Sequence, residues 1–147
     1  MTCSEVMLSH VFTCKEGEPA SAATRLVRDE RVGFVPVVDG EGKARGILTD
    51  RDIGLRIAAA GKPATTPVEH LMSPGVMTCR PEDDLREVEA RMGRDKKSRA
   101  LVVDAQGRPA GVISLSDIAL VDAPDRVGKL LREVTQREVA LVSRPAG

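Results

Sequence analysis

The sequence predicts an α/β fold built from two copies of one β-α-β-β-α unit. The first observation is a repeat. GILTDRDI at 46–53 and GVISLSDI at 111–118 share a glycine, two apolar residues, a hydroxyl residue and a later Asp-Ile, and they lie 65 residues apart. The second observation is that short β-branched runs alternate with amphipathic helical segments in both copies. A chain of 147 residues is long enough to bury a core, and a tandem repeat carries two copies of any site that it forms.

Each element of the first copy has a counterpart in the second. Helical spacing of apolar residues predicts helices over 18–30 and 82–94. Apolar runs at 34–38 and 100–103 end in Asp-x-x-Gly turns and return as strands over 44–48 and 110–113. A second helix begins near Thr49 and near Ser114, and a short strand around 11–14 or 76–79 precedes the first helix of each copy. Pro36, inside a strand run, indicates an edge strand or an irregular ladder position.

The clearest break in the pattern is the Gly-Lys-Pro-Ala-Thr-Thr-Pro stretch at 61–67, a helix stop followed by a proline-marked connector. The segment 125–141 has apolar residues at helical spacing and no counterpart between the repeats, so it either packs on the repeats or mediates self-association. The predicted domains are repeat 1 at 1–62, a linker at 63–70, repeat 2 at 71–122, and a C-terminal helix and tail at 123–147.

Composition argues against several classes of protein. The formal net charge is zero, from 22 basic and 22 acidic residues, and the chain has no basic block, so nucleic acid is not an expected partner. Three cysteines without a CxxC spacing fit a reducing compartment better than a disulfide scaffold. The sequence has neither a leader-like start nor an apolar run long enough to span a bilayer. We therefore expect a soluble cytoplasmic protein that does not bind membranes.

Catalytic and metal-binding patterns are not visible in the sequence. His10 and His70 do not occupy equivalent positions, and neither has a ligand partner at metal spacing. Cys14 and Cys79 are equivalent, but a cysteine in an apolar strand usually acts as a small hydrophobe. The glycines follow neither a P-loop nor a dinucleotide fingerprint. We predict no catalytic residues, no metal site and no required cofactor.

The repeated motif places a hydroxyl and a carboxylate one helical turn apart, as Thr49 with Asp52 and as Ser114 with Asp117. One interpretation is a capping box, in which each pair only stabilises the start of a helix. The other is a nucleotide site, because a hydroxyl and free N–H groups suit phosphate and a carboxylate can accept both hydrogen bonds of a ribose diol. The occurrence of two copies, each after a glycine-led strand, favours the ligand.

These motifs resemble the signature of the cystathionine-β-synthase (CBS) domain family, whose tandem pairs are called Bateman modules, over roughly residues 6–121. The resemblance implies two repeats packed about a pseudo-twofold axis, with an adenosine-containing ligand in the cleft between them. It also implies phosphate contact by Thr49 and Ser114 and ribose contact by Asp52 and Asp117. Arg99 matches a phosphate-binding arginine of the family, and Ser116 is a further candidate contact. The base contacts implied by the resemblance lie around Val11, Phe12, Val76 and Met77.

The residues predict that the two sites are unequal. Asp50 adds a second acid beside Asp52, which raises the negative potential where a phosphate would lie, so a polyphosphate should prefer the Ser114 motif. The basic residues Lys96, Lys97 and Arg99 have no equivalent group in the first copy. They are either a solvated surface patch or a phosphate-facing cluster.

We therefore expect a stand-alone regulatory module rather than an enzyme. It would bind AMP, ADP, ATP, S-adenosylmethionine or NAD as a regulatory ligand and signal by a population shift to an unknown protein partner in trans. The resemblance also implies a homodimer. The alternative is a constitutive dimerisation or interaction scaffold without ligand, in which the motifs are only helix caps and Phe12, Phe34 or Met77 fills the base space. An enzyme acting on a nucleotide is disfavoured, because Asp50 is the one acid expected near the phosphates.

Overall fold

The computed structural model describes residues 1–142, and their side chains as far as Gln136. The strands are β1 Cys14–Lys15, β2 Phe34–Val38, β3 Ala44–Thr49, β4 Thr78–Cys79, β5 Arg99–Val103 and β6 Pro109–Ser114. The α-helices are α1 Cys3–Val6, α2 Ala20–Asp29, α3 Asp50–Ile53, α4 Leu85–Asp95, α5 Leu115–Val121 and α6 Pro124–Val142. The order β-α-β-β-α occurs twice, so the predicted α/β class with two repeats is confirmed. The end of the predicted tail, 143–147, lies outside the described residues.

The strands form two three-stranded sheets, in the orders β1-β2-β3 and β4-β5-β6. Pro36 lies in the middle of the central strand β2, so of the two predicted alternatives the edge strand is wrong and the irregular ladder position is observed. In the second sheet the equivalent residue, Leu101, donates its N–H to the carbonyl oxygen of Met77 at 2.9 Å. Pro36 has no N–H to donate, and the pairing of β1 with β2 accordingly starts at Cys14 and Val37, one position later than in the second sheet. The proline therefore shifts the parallel ladder by one position along β2 while β2 stays in the centre of the sheet.

The first helix of each repeat begins later than the sequence predicted. Glu18 stays outside α2 because its carboxylate accepts a hydrogen bond from the N–H of Lys15 at 3.1 Å and closes a turn. Asp84 stays outside α4 because it is the N-cap, with its side chain accepting from the N–H of Arg86 at 3.1 Å. Polar side chains that bond to the local backbone thus set where the helices begin.

The described chain forms two compact units, and neither is continuous in sequence. One unit contains residues 1–9, 77–102 and 111–142, and the other contains residues 10–76 and 103–110. In the first unit Leu8 pairs with Val112 of β6, and in the second Ser73 pairs with Ile47 of β3. Leu8 and Ser73 occupy equivalent positions ahead of the two repeats. In each unit, the segment that precedes a repeat thus pairs with the edge strand β6 or β3 of the sheet.

A methionine from each of these preceding segments packs against the glycine of the repeated motif. A Cβ added to Gly111 would lie 2.5 Å from Met7 Sδ, and a Cβ added to Gly46 would lie 2.6 Å from Met72 Sδ. Both glycines are buried. The glycine shared by GILTDRDI and GVISLSDI therefore leaves room for a side chain of the neighbouring segment.

Helix α6 belongs to the unit that contains most of the second repeat. Its residues Leu130 and Val134 are buried in the same hydrophobic core as Val88 and Met92 of α4, and Val127 packs against that core. The predicted C-terminal helix is therefore present, and its described side chains pack on the second repeat.

Candidate functional site

The repeated motif lies where the last strand of each repeat turns into a helix. β3 ends at Thr49 and β6 ends at Ser114, and both residues have extended backbone with φ of −104° and −114°. The helix begins at the next residue, so each hydroxyl residue is the N-cap. The strand-to-helix turn thereby places a half-buried hydroxyl and a half-buried carboxylate next to each other in both repeats.

Both motifs form reciprocal capping boxes. The N–H of Thr49 donates to Asp52 Oδ2 at 3.0 Å, and Thr49 Oγ1 accepts from the N–H of Asp52 at 3.1 Å. The N–H of Ser114 donates to Asp117 Oδ2 at 2.8 Å, and Ser114 Oγ accepts from the N–H of Asp117 at 3.3 Å. The Ser114 hydroxyl also donates to Asp117 Oδ2 at 2.8 Å. These residues are helix caps. A ligand can therefore bind only to hydrogen-bonding groups of these side chains that capping does not already use.

The start of the central strand is tied to the second motif. The N–H of Leu115 donates to the carbonyl oxygen of Ser98 at 3.1 Å, and Arg99 follows as the first residue of β5. In the first repeat the residue equivalent to Arg99 is Phe34, which pairs with Thr49 across the β2–β3 ladder. The second repeat therefore carries an exposed arginine at the strand position where the first carries a half-buried phenylalanine.

The carboxylate of Asp52 faces an arginine that the second repeat lacks. Arg56 Nε lies 3.7 Å from Asp52 Oδ1, and Arg56 Nη1 donates to the carbonyl oxygens of Leu71, at 2.9 Å, and of the next residue, at 3.3 Å. The residue equivalent to Arg56 is Val121. In the part of the chain that the structure describes, the hydrogen bonds accepted by the Asp117 side chain all go to Oδ2. Asp117 therefore keeps one oxygen that capping does not use.

The sequence contained an overlooked signal for Arg56. Arg56 follows Asp52 by four residues, the spacing at which oppositely charged side chains meet on a helix. The predicted asymmetry relied on Asp50 instead, and that residue is exposed, with its carboxylate accepting from the N–H of Arg51 at 2.8 Å.

The helices that follow the two motifs also differ. α5 is a regular helix, and Ser116 is exposed on its first turn. α3 ends at Ile53 and continues as a π-helical turn over Gly54–Ala58, in which the N–H of Ala59 donates to the carbonyl oxygen of Gly54 at 2.9 Å. The first repeat thus has a widened helix after its motif, a feature that often occurs at functional sites.

The candidate base-contacting residues lie just before the first strand of each repeat. Val11, Phe12 and Val76 are half-buried and non-helical, whereas the Met77 side chain is buried in the hydrophobic core at 8% exposure. The carbonyl oxygen of Met77 accepts a hydrogen bond from the N–H of Leu101. The equivalent residues of the first repeat are Phe12 and Pro36, and Pro36 has no N–H to donate to the Phe12 carbonyl oxygen. The backbone at Phe12 therefore keeps an acceptor that the backbone at Met77 has already used.

The basic residues Lys96, Lys97 and Arg99, just before β5 and at its first position, do not form one cluster. Lys96 adopts a left-handed conformation with φ of 57° at the end of α4, and its Nζ donates to Gln136 Oε1 of α6 at 2.9 Å. Lys97 and Arg99 are exposed. The predicted cluster is therefore wrong for Lys96, because the turn that ends α4 directs its side chain to α6.

Buried cysteines in the two sheets have a packing role. Cys14 and Cys79 are buried, and burial raises the pKa of each thiol to about 12, so both stay uncharged near neutral pH. Among residues 1–136, whose side chains the structure describes, no group of three His, Cys, Asp or Glu side chains is placed to hold a metal ion. None of the helices within residues 1–142 has the length and apolar character needed to cross a membrane.

Comparison with protein families and relatives gives a consistent result. The model of the CBS domain matches the chain twice, at residues 3–57 and 68–123. The chain is 29% identical over 136 residues to the CBS domain-containing protein YhcV of Bacillus subtilis, covering 92% of this chain and 96% of that protein. It is 27% identical over 116 residues to the homoserine O-acetyltransferase of Methanohalobium evestigatum, covering 79% of this chain but spanning 23% of that enzyme.

Solved structures share the fold. The CBS domain pair of MJ0100, in complex with 5′-methylthioadenosine and S-adenosyl-L-methionine, superposes with a TM-score of 0.73 at 23% identity, covering 82% of this chain and 94% of that one. The cytosolic domain of the Mg²⁺ channel MgtE, in complex with ATP, superposes with a TM-score of 0.70 at 25% identity, covering 82% of this chain and 48% of that one.

Proposed function

The chain belongs to the CBS domain family, and we propose that it is a regulatory module whose second motif, Ser114 with Asp117, binds an adenosine-containing ligand. The observation that carries this proposal is the difference between the two carboxylates. Asp117 Oδ1 is not used by the capping box, whereas Asp52 Oδ1 faces Arg56. A carboxylate that already caps a helix through one oxygen is held rigidly and can offer the other to a ribose hydroxyl.

Phosphate binding at this motif needs one local rearrangement. The Ser114 hydroxyl donates to Asp117 Oδ2, so it has to rotate in order to donate to a phosphate oxygen instead. Asp117 Oδ2 would then accept one hydrogen bond fewer from the protein and could accept one from the second ribose hydroxyl. Arg99 and Ser116, both exposed near the start of α5, are the further proposed contacts. The first motif, Thr49 with Asp52, is the weaker site in this proposal.

The ligand class follows from the family and from one relative of the same fold. The MgtE cytosolic domain was solved with ATP, which supports a ligand containing adenosine. AMP, ADP, ATP, S-adenosylmethionine and NAD all belong to this class. Contacts to the base are proposed for Val11, Phe12 and Val76, and for the backbone N–H of Met77, whose carbonyl oxygen bonds to Leu101 and whose side chain is buried.

Regulation rather than catalysis is the proposed role. Ligand binding would stabilise one conformation of the module and so change its affinity for a protein partner. A homodimer is part of this proposal, because Leu55 and Leu120 occupy equivalent helix positions and are 55% and 86% exposed. The proposal assigns no catalytic residue and no required cofactor, and it places the protein in the cytoplasm.

A constitutive interaction scaffold is the second candidate. The observation that favours it is that both capping boxes satisfy their own hydrogen bonds, as a purely structural motif would. A thermal-shift titration with AMP, ADP, ATP, S-adenosylmethionine and NAD separates the two functions. A ligand at about 100 times its Kd stabilises the folded state by roughly 2.7 kcal/mol, a shift of several degrees. A scaffold would show no shift with any of them.

A further inference from the structure

A groove between α4 and α6 combines basic side chains with a buried carboxyl group. It lies within the unit that holds most of the second repeat and has a volume of about 630 Å³. Two acidic residues, Glu89 and Glu133, also line it, which leaves a formal charge of +3 in a chain of zero net charge. The basic residues that line the groove are Arg86, Arg94, Lys96, Arg126 and Lys129.

Glu89 is the residue that distinguishes this groove from an ordinary charged surface. It is 8% exposed, and its Oε1 atom has no hydrogen-bond partner among the described residues. Three charged groups face it: Arg86 of α4, Asp122 at the end of α5 and Arg126 of α6. A buried oxygen without a donor is destabilising, and a bound molecule that donates a hydrogen bond to it would recover that stability.

The basic residues differ in how far they are already engaged. Arg126 pairs with Asp122, Lys96 bonds to Gln136, and Arg94 pairs with its exposed neighbour Asp95. Arg86 and Lys129 form no salt bridge with any residue in the described part of the chain, and both are exposed. An arginine and a lysine that line one groove without ion-pair partners suit a phosphate group, which accepts charge-assisted hydrogen bonds from both side chains.

We propose that this groove is a second binding site, for a small phosphorylated polyol such as a sugar phosphate. Arg86 and Lys129 would bind the phosphate, and Glu89 Oε1 would accept a hydrogen bond from a hydroxyl group. The groove volume falls within the range of small-molecule sites. One wall is α6, which has no counterpart in the first repeat, so each chain carries one such site. It is separate from the residues of the repeated motif.

The test is an NMR titration of the ¹⁵N-labelled chain with fructose 1,6-bisphosphate, with inorganic phosphate, fructose and citrate as comparison ligands. We expect saturable shifts of the amides of Ala90 and Gly93 with the bisphosphate, and no shifts of comparable size at 114–117. Arg86→Ala and Lys129→Ala should each weaken binding about tenfold, because each removes a charge-assisted contact. Arg132→Ala, an exposed change on α6 outside the groove, should leave it unchanged.

Glu89 provides the second arm of the test. Glu89→Ala should weaken binding of the bisphosphate and leave inorganic phosphate unaffected, because phosphate alone brings no polyol hydroxyl. Glu89→Gln, which keeps an acceptor oxygen, should retain most of the affinity and covers the case in which the alanine variant fails to fold. The proposal is overturned if the amides of Ala90 and Gly93 do not respond, or if citrate binds as tightly as the bisphosphate. Shifts confined to 114–117 would also overturn it while supporting the proposed nucleotide site.

Discussion

Arg56 Nε lies 3.7 Å from Asp52 Oδ1, and the residue equivalent to Arg56 in the second repeat is Val121. Two motifs with the same hydroxyl and carboxylate are thereby made unequal by a residue outside the motif. The arginine lies within ion-pair distance of one carboxylate, while the residue at the equivalent position after Asp117 is uncharged. A ligand that needs the carboxylate as an acceptor of ribose hydroxyls should therefore distinguish the two repeats.

Removing Arg56 should convert the first motif into a usable site. We predict that Arg56→Met, made in a chain that already carries Asp117→Ala, restores affinity for an adenosine ligand that Asp117→Ala has weakened. Isothermal titration calorimetry measures the recovery. Arg51→Met is the matched control, since it removes an exposed arginine of the same helix that is not paired with Asp52. Equal affinities for the two double variants would show that Arg56 does not limit the first motif.

The glycine of each motif should resist even a small substitution. Gly111→Ala places a methyl group about 2.5 Å from Met7 Sδ, so the methionine has to move out of a packed interior. Overpacking of this kind costs about 1–3 kcal/mol of unfolding free energy, which denaturant unfolding measures. Gly17→Ala is the control, because nothing lies within 4 Å of its added Cβ. If the clash is the cause, Met7→Ala should recover most of the loss; no recovery would assign the cost to the backbone.

Stability should depend on pH through Glu89. Burial, with Asp122 nearby, raises the pKa of Glu89 from 4.5 to about 7. The folded state therefore holds this proton longer than the unfolded chain does, and stability is lost as the pH rises through that window. Glu89→Gln should remove this loss, on the order of 3 kcal/mol in unfolding free energy when about pH 8 is compared with about pH 4.

Urea unfolding of the wild type and of Glu89→Gln between about pH 4 and about pH 8 measures how the unfolding free energy changes with pH. Glu87→Gln, at an exposed position of the same helix, is the control. At the acidic end Asp122 acts in the opposite direction, because its hydrogen bond from Arg126 lowers its pKa to about 2. Stability carried by Asp122 is then lost as the pH falls from 3.8 towards 2. A Glu89→Gln variant with the pH dependence of the wild type would refute the assignment to Glu89.

Self-association should depend on the exposed leucines after the two motifs. Leu120→Glu puts a charge on a side chain that is 86% exposed, so it should leave the monomer fold intact while disfavouring an apolar interface. We predict a dimer for the wild type and a monomer for this variant in light scattering coupled to size-exclusion chromatography. Leu131→Glu, at a 48% exposed position on α6, should leave the dimer unaffected. A wild-type monomer, or a dimer that survives Leu120→Glu, would count against this surface.

The repeat made the fold predictable from the sequence. The equivalence of 46–53 with 111–118 predicted the order of strands and helices, because two segments with the same pattern are subject to the same local constraints. The errors arose where one residue changes the backbone hydrogen bonding. The sequence left an edge strand and an irregular ladder position open for Pro36, because the choice between them depends on pairing between distant segments. The starts of α2 and α4 were missed because Glu18 and Asp84 bond to the local backbone.

The candidate site was predictable in part for the same reason. The sequence identified both hydroxyl–carboxylate pairs, and the structure gives each pair reciprocal hydrogen bonds. It did not indicate that Lys96 turns towards α6, because this follows from a left-handed residue at the end of α4. Nor did it indicate Glu89, since a glutamate on an amphipathic helix is ordinarily solvated, and the burial of this one depends on packing between distant segments.

The direct test of the nucleotide site is calorimetric titration of ATP into the wild type, Asp117→Ala and Asp84→Ala. The last variant removes a helix cap of another helix, so it matches the stability cost of losing a cap without touching the motif. We predict that Asp117→Ala weakens ATP binding by at least about tenfold, the scale of one charge-assisted hydrogen bond, and that Asp84→Ala binds as the wild type does. Equal ATP affinity in all three proteins, or no binding by the wild type to ATP, AMP or S-adenosylmethionine, would contradict the assignment of Asp117 to a ligand.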